Sequence, residues 1–462
     1  MLMPNPSFVS RSSALDTWLT DLLAAIPAHL RKRQLWVALS GGLDSTVLLH
    51  GLVALQRAGA LGDVQGVHVH HGLQAEADAW AEHALKVGGR LGVPMRVVRV
   101  KVNLASGQGV EAAARTARYA ALAADMQAGD VLLTAHHQDD QAETFVLQLM
   151  RGAGVRGLAA MPILQPLSLQ DGEAWHLRPL LGVSRSQLEQ VAVKMGLDWV
   201  DDPSNADTHL ARNFVRYELM PTMQRHWPQA AQTLARCAGR MASTESLLLD
   251  LARLDLEALR GENADCLCVE GLLRLSTPRM HNAVRGWLLE LGLPAPPEAR
   301  LHELVRVLTA RADAMPMLAW PGGVLRRWRG RLYALPAAEV AADKAALAWH
   351  GCAWSLQQPL EIPELALCLH VSYEVGWGLS AERVQQGVFV GVRNELSLPP
   401  AASRAALSKR LQDLGVAPWL RARLPLIFLG ENLIQISDLW RSPAFRAQEH
   451  ELGVVIKVEH LL

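Results

Sequence analysis

Leu35-Trp-Val-Ala-Leu-Ser-Gly-Gly-Leu-Asp-Ser45 is the stretch on which the fold turns. Leu35–Leu39 is an apolar run of strand length, a glycine pair follows it, and Thr46–Ala58 spaces its apolar residues as a helix does;. A strand that turns through glycines into a helix brings loop N–H groups, serine hydroxyls and the positive helix start to one point, which is a cradle for an anion. Gly41 and Gly42 reach dihedrals closed to other residues and let a ligand approach the backbone;. The loop lacks the lysine, and has less than the length, of the GxxxxGK[ST] triphosphate loop;. Asp44 among phosphate-binding groups is repelled by phosphate unless a cation stands between, so Mg²⁺ is expected at Asp44;. A helix-start carboxylate favoured by the dipole is compatible with the same position.

Outward from this stretch the first half alternates strand and helix. Val64–His70, Met95–Val102 and Val131–Ala135 read as strands, and 75–91, 111–126 and 140–150 as helices. Repeated units of this size imply an α/β fold with a doubly wound parallel sheet, whose ligands sit at the carboxyl ends of the strands. His136-His-Gln-Asp-Asp-Gln-Ala-Glu143 follows the fourth strand. Asp140 and Glu143, three apart, share one face of the helix that begins there and suit a cationic substrate group;. A carboxylate pair that merely starts a helix is the alternative reading.

The chain has 462 residues, enough for roughly three domains;. Lysine plus arginine and aspartate plus glutamate each number 45, so an anionic partner must be met by local patches;. Residues 274–331 hold ten arginines against four acidic residues, and 404–423 hold Arg404, Lys409, Arg410, Arg421 and Arg423 against Asp413. The five cysteines, Cys237, Cys266, Cys268, Cys352 and Cys368, form no CxxC pair, so neither a disulfide framework nor a zinc knuckle is expected;. Cys266 and Cys268 read as small core residues of a strand. No signal-peptide pattern and no apolar run of membrane-spanning length is present, which makes the cytoplasm the expected compartment and excludes a membrane partner;. The domains are expected at 1–216 (catalytic), 217–335 (helical, arginine-rich, tRNA-binding), 336–370 (connector) and 371–462 (α+β, tRNA-binding). Within the second, 229–260 reads as one long helix, and within the last, 403–414 reads as another.

Ser40–Ser45 resembles the PP-loop, which grips the β,γ-pyrophosphate of ATP and leaves the α-phosphorus open. The resemblance then narrows. Together with that loop, HVHHGL (68–73), GVEAAARTARY (109–119), TAHHQDDQAETFVLQLMRG (134–152), RPLL (178–181) and DDPSNAD…RNFVR (201–216) are similar to the ordered motifs of the tRNA(Ile)-lysidine synthetases. LSKRLQDLGVAPWLRARLPLIF (407–428) resembles the last domain of the long bacterial members. Near Gly391–Asn394 that family carries a denser basic run; here only Arg393 stands.

The resemblance implies a ligase that joins free lysine to C2 of the wobble cytidine of an isoleucine tRNA with a CAU anticodon, through an adenylated base, splitting ATP to AMP and pyrophosphate. It implies that Ser40, Gly41, Gly42, Leu43, Asp44 and Ser45 bind ATP, with Asp44 on Mg²⁺. Asp140 and Glu143 hold the lysine, Arg212 is a further active-site residue, and His136 contacts nucleotide or base. Glu111, Arg115 and Arg118 on one helical face orient tRNA or phosphate, with surface salt bridges an equal reading. A homodimer is the remaining partner expected.

The alternative is another PP-loop enzyme such as a tRNA thiolase, which needs a cysteine persulfide or an iron–sulfur cluster; the first cysteine, Cys237, lies outside the catalytic domain;. Amidotransferase relatives need an ammonia-generating domain, of which no sign is seen. A non-catalytic RNA-binding protein is opposed by the intact loop. Trp320, Trp328 and Trp419 lie near arginines and suit base stacking, but packing is the stronger reading;.

Overall fold

In the computed structural model the described residues are 14–70, 72, 76–100, 110–169, 172–200, 211–260, 266–311, 314, 316–337, 348–365, 367–394 and 404–460. In the strand β1 (Leu35–Ala38), Leu35 and Val37 enter one apolar cluster while Trp36 enters another. β4 (Val131–Leu133) divides in the same way, Val131 and Leu133 against Leu132. Side chains alternate across a strand, so two clusters mean two covered faces, and an unbroken apolar run is what such a strand requires.

β2 (Val64–His70) and β3 (Met95–Arg99) complete one half of the sheet, and β6 (Gly172–Leu177) and β5 (Leu164–Leu169) the other, in the order β3-β2-β1-β4-β6-β5. All neighbours pair in parallel except β5, which runs antiparallel to β6. The β5–β6 hairpin has no counterpart among the strands expected from sequence. The chain builds from β1 outward through β2 and β3, then crosses back to place β4 on the other side of β1. The carboxyl ends of β1 and β4 therefore flank the switch point, where doubly wound sheets open a crevice.

Helices α1 (Ala14–Ala24), α2 (Leu43–Arg57), α3 (Ala77–Leu91), α4 (Val110–Ala123), α5 (Gln138–Met150), α6 (Val155–Leu158) and α7 (Arg185–Met195) belong to this part. α1 lies tight on α2, since a Cβ at Gly51 would stand 2.3 Å from the Trp18 ring;. After the sheet come α8 (Ala211–Phe214), a π-helical turn (Val215–Leu219) and α9 (Met220–His226). Ala142 and Val146 of α5 pack with Val215 and Met220, which holds this segment against the start of α5.

The chain divides into two compact units, Met1–Leu247 and Leu248–Leu462, within α10 (Ala230–Leu259). That helix matches the one expected at 229–260. In the second unit, α11 (Val269–Arg274), α12 (Thr277–Glu290) and the later turns of α10 share a core with a four-stranded antiparallel sheet of β7 (Cys266–Cys268), β8 (Met317–Trp320), β9 (Gly323–Trp328) and β10 (Arg331–Pro336), in the order β7-β10-β9-β8. The helical middle region thus also carries a sheet. Two more antiparallel sheets follow, one of five strands between Cys352 and Arg441 and one of four strands between Leu360 and His460, with a helix at Arg404–Asp413. β11 (Cys352–Trp354) and β12 (Leu360–Ile362) fall inside the stretch expected to be a connector. Cys266 is buried and Cys268 half-buried, and all five cysteines are free.

Candidate active site

The loop after β1 is shaped by its own side chains. Gly41 has φ +91°, a conformation L side chains rarely adopt;. The Ser40 backbone N–H donates to Ser45 Oγ at 3.2 Å, and Ser45 Oγ lies 3.0 Å from Ser40 Oγ and donates to the Gly42 carbonyl at 3.1 Å. Gly42 caps α2 with no side-chain partner for the helix start. Leu43 turns into the core, so the loop's polar edge is backbone. A Cβ at Gly41 or Gly42 would find its nearest atoms at 3.7 and 3.5 Å, so the protein itself leaves room against this backbone. The Gly42 N–H is taken by Ser40 Oγ at 3.3 Å, but the N–H groups of the first turn of α2, which have no intrahelical partner, fit a phosphate chain.

Asp44, in the first turn of α2, has one oxygen engaged and one not. Oδ2 accepts from Arg185 Nη1 at 3.0 Å and lies 3.7 Å from His137 Nε2. Oδ1 is buried without a hydrogen-bond partner. Burial raises the Asp44 carboxyl above its ordinary value, and the His137 and Arg185 charges do not fully offset it;. A buried, under-compensated carboxylate fits a divalent cation. Among the described residues no three His, Cys, Asp or Glu side chains gather as a metal site, so such an ion would take its other ligands from phosphates and water, as Mg²⁺ commonly does.

The second constellation starts where β4 ends. His137 caps α5: its Nδ1 accepts from the Asp139 N–H at 3.3 Å, while its own N–H donates to Asp140 Oδ2 at 3.1 Å. Nε2 of the same buried ring lies 3.4 Å from Asp140 Oδ2, so His137 stands between Asp44 and Asp140. Burial lowers its pKa, but Asp139, Asp140 and Asp44 outweigh burial and raise it above the ordinary imidazole value. Asp139 Oδ2 accepts from the Arg185 backbone N–H at 2.9 Å, which ties the start of α7 to the start of α5.

Asp140 and Glu143 face two guanidinium groups. Arg212 Nη2 donates to Asp140 Oδ1 at 2.9 Å and its Nε to Glu143 Oε2 at 3.1 Å. Arg216 Nη2 donates to Asp140 Oδ1 at 2.7 Å, and its Nε to Glu143 Oε1 at 2.6 Å. Burial opposes ionisation of Asp140, yet His137, Arg212, His136 and Arg216 together bring its carboxyl down to about 2;. Arg216 is raised further above the ordinary guanidinium value, burial being outweighed by Glu143 and Asp140. The acidic pair thus already holds two cationic groups, the guanidinium groups of Arg212 and Arg216.

Of the residues singled out from sequence, Ser40 through Ser45 form one loop, and Asp140, Glu143 and Arg212 form one cluster. His136 sits at the mouth of the fourth strand with its Nδ1 2.8 Å from Thr134 Oγ1. Arg118 is exposed on α4. The side chains of Glu111 and Arg115, and residues 201–210, lie outside the described residues, as do His71 and Leu73 of the HVHHGL motif. Sequence reasoning did not single out Arg185, Arg216, His137 or Asp139. Arg216 carried a signal, since it lies four residues after Arg212 and therefore on the same helical side;.

The arginine-rich stretch of the second unit divides. Arg274, Arg279, Arg285, Arg300 and Arg306 pair with Glu270, Asp255, Glu298 and Glu303. Arg329 instead stacks over Trp328, 4.7 Å from its centroid, and donates to the Gln412 carbonyl at 2.8 Å. Trp320 and Trp419 are buried, and Trp328 meets Trp419 edge-on, so these rings pack in the protein.

Known proteins match along this architecture. A family model described as a PP-loop domain matches residues 15–223, one described as the TilS substrate binding domain matches 267–333, and one described as the TilS substrate C-terminal domain matches 393–458. The tRNA(Ile)-lysidine synthase of Alkalilimnicola ehrlichii is 44% identical over 89% of this chain and 91% of its own. The proteins of the same name from Pseudomonas aeruginosa and Methylococcus capsulatus are 43% and 39% identical, over 87% and 91% of this chain and 89% and 95% of theirs.

Proposed function

The chain belongs to the tRNA(Ile)-lysidine synthase family, and from that premise we propose that it ligates free lysine to C2 of the wobble cytidine of the CAU-anticodon isoleucine tRNA. It is a PP-loop enzyme that modifies tRNA; base, amine and activation step are the proposal. The cytidine O2 attacks the α-phosphorus of ATP and pyrophosphate leaves. The lysine ε-amine then attacks C2, AMP departs with the oxygen, and the amine proton passes to a carboxylate. Adenylation is needed because an amide-like oxygen is a poor leaving group.

The observation that carries the reading is the cation site at Asp140 and Glu143, joined through His137 to Asp44 at the phosphate loop. Two carboxylates that already hold guanidinium groups at 2.6–3.1 Å suit an ammonium;. Asp140, ionised down to about pH 2, holds the ammonium rather than taking its proton, and the base is assigned to Glu143. Ser40–Ser45 hold the pyrophosphate part of ATP, and Mg²⁺ bound at Asp44 would neutralise phosphate charge. Arg212 and Arg216, once displaced by lysine, are free to meet phosphate. The basic surfaces of the second unit hold the body of the tRNA while the base is splayed into the site. A cytoplasmic homodimer is part of the same proposal; no helix among the described residues is long and apolar enough to cross a membrane.

Incubation with ATP, labelled lysine and bulk tRNA tests it. Label is expected in one isoleucine tRNA, with AMP and pyrophosphate released in step; label in no tRNA, or in many, refutes it.

A further inference from the structure

Behind His136 runs a line of buried hydrogen bonds whose direction is fixed at one end. Arg178, 2% exposed, brings Nη2 to 3.1 Å from His176 Nδ1. A guanidinium has donors and no acceptor, so that nitrogen of His176 accepts. The Gln165 side-chain amide nitrogen approaches the same atom at 3.3 Å. The proton of the neutral His176 ring is therefore on Nε2, which lies 2.9 Å from Thr134 Oγ1 and donates to it;. Thr134 Oγ1 is 2.8 Å from His136 Nδ1. Among the described residues the Thr134 hydroxyl meets only these two rings, so its single hydrogen, with His176 Nε2 already a donor, finds its acceptor in His136 Nδ1;. Thr134 and His176 are both buried, where water does not compete and an unmade bond is costly. The neutral His136 ring then carries its proton on Nε2.

We propose that Thr134, His176 and Arg178 are positioning residues that hold His136 as a hydrogen-bond donor, so that His136 offers an Nε2–H to an anionic oxygen of the reacting nucleotide and is not the base of the reaction. His136 lies between the carboxyl end of β4 and His137, the cap of α5, which puts it at the edge of the site. A fixed donor aimed at oxygen that gains charge stabilises a phosphoryl-transfer transition state without reorganisation. The ligand rests on the function proposed above; the direction of the relay does not.

Two measurements test it on the full chain. In two-bond ¹⁵N–¹H spectra of ¹⁵N-histidine-labelled protein, with His136 assigned by its loss in His136→Gln, the expected signature is a proton on Nε2 of both His136 and His176. Thr134→Val should mix the tautomers of His136, and Thr134→Ser should restore one. A proton on Nδ1 of His136 in the unsubstituted protein overturns the relay, whatever the variants do. In tRNA-dependent pyrophosphate release, His136→Gln keeps an N–H donor but no base; it should be slowed yet remain at least about tenfold faster than His136→Ala, with the difference in kcat. Equal loss in the two variants overturns the donor role. Absence of tRNA-dependent release in the unsubstituted enzyme counts against the proposed function, and the spectra then decide the relay alone.

Discussion

Arg185 Nη1 lies 3.0 Å from Asp44 Oδ2, although 141 residues separate them in the chain. The contact joins the first turn of α7 to the first turn of α2, and the other carboxylate oxygen stays buried and unpaired. A carboxylate with a guanidinium on one oxygen and no hydrogen-bond partner on the other is half of a cation site, and it stands in the first turn of the helix that the glycine loop opens.

Asp44→Ala is expected to remove tRNA-dependent pyrophosphate release while leaving the fold in place. The neighbouring core contacts come from Leu43 and Val47, which the change does not touch. Loss of the group proposed to organise a metal on ATP should slow release by about a thousandfold, equivalent to about 4 kcal/mol. Circular dichroism and the unfolding midpoint should stay close to those of the unsubstituted protein. Wild-type-like release in this variant would falsify the metal role.

How much of the fold and site is legible in sequence depends on distance along the chain. β1, the loop and α2 are contiguous, so apolar run, glycine pair and helical spacing fall within one window. Asp140 and Glu143 share a helical turn and are legible for the same reason. Arg185 is not, because only the crossover that sets β4 beside β1 brings α7 to α2. The β5–β6 hairpin escapes because a partly buried pair such as Gln165 opposite His176 breaks the apolar pattern that marks a strand;. The sheet of the middle region is made of short antiparallel strands whose partners are set by non-local packing;.

Glu143→Gln should separate the two half-reactions. On the proposed reading the carboxylate serves the amine, so pyrophosphate release should persist while lysine transfer falls by at least about a hundredfold, through weaker ammonium binding and loss of a base. The protein should also lose about 1–3 kcal/mol of stability, because Arg212 and Arg216 keep their charges and lose a shared acceptor;. Quench-flow measurement of pyrophosphate and of lysine incorporation on the same samples separates the steps. Equal loss in both would remove Glu143 from the lysine side.

Asp140 gives a pH prediction with a definite sign. Its carboxyl is depressed from 3.8 to about 2 in the folded protein. A depressed carboxyl stabilises the fold above its unfolded value, and that contribution is lost as pH falls toward the folded value. Asp140→Asn should therefore be less stable than the parent by about 2 kcal/mol above pH 4, and the gap should narrow between pH 4 and pH 2. Urea unfolding of the two proteins across that range measures it. A gap that is constant with pH would show that the loss comes from packing or capping and not from the charge pairs.

The second unit supplies the last prediction, through three arginines that repel one another. Burial lowers the pKa of Arg421, and the nearby charges of Arg393 and Arg329 lower it further. Their hydrogen bonds go to neutral oxygens: Arg421 Nε donates to the Val416 carbonyl at 2.9 Å, Arg393 Nη2 to Ser408 Oγ at 2.7 Å and Arg329 Nη2 to the Gln412 carbonyl at 2.8 Å. Cations set side by side in this way raise the energy of the free protein and lower it again when a phosphate arrives. Replacing Arg393 and Arg421 together by alanine should leave stability unchanged or slightly higher, because a repulsion is removed. The same change should weaken tRNA binding at least about tenfold and reduce the slope of log affinity against log salt by roughly 1–2, since each phosphate that is no longer neutralised keeps its counterion. Unfolding midpoints and filter binding at several salt concentrations read the two effects separately. Stability that drops while the salt slope holds would mean that these arginines brace the helix at Arg404–Asp413 and the turn after it, and that the tRNA is held elsewhere.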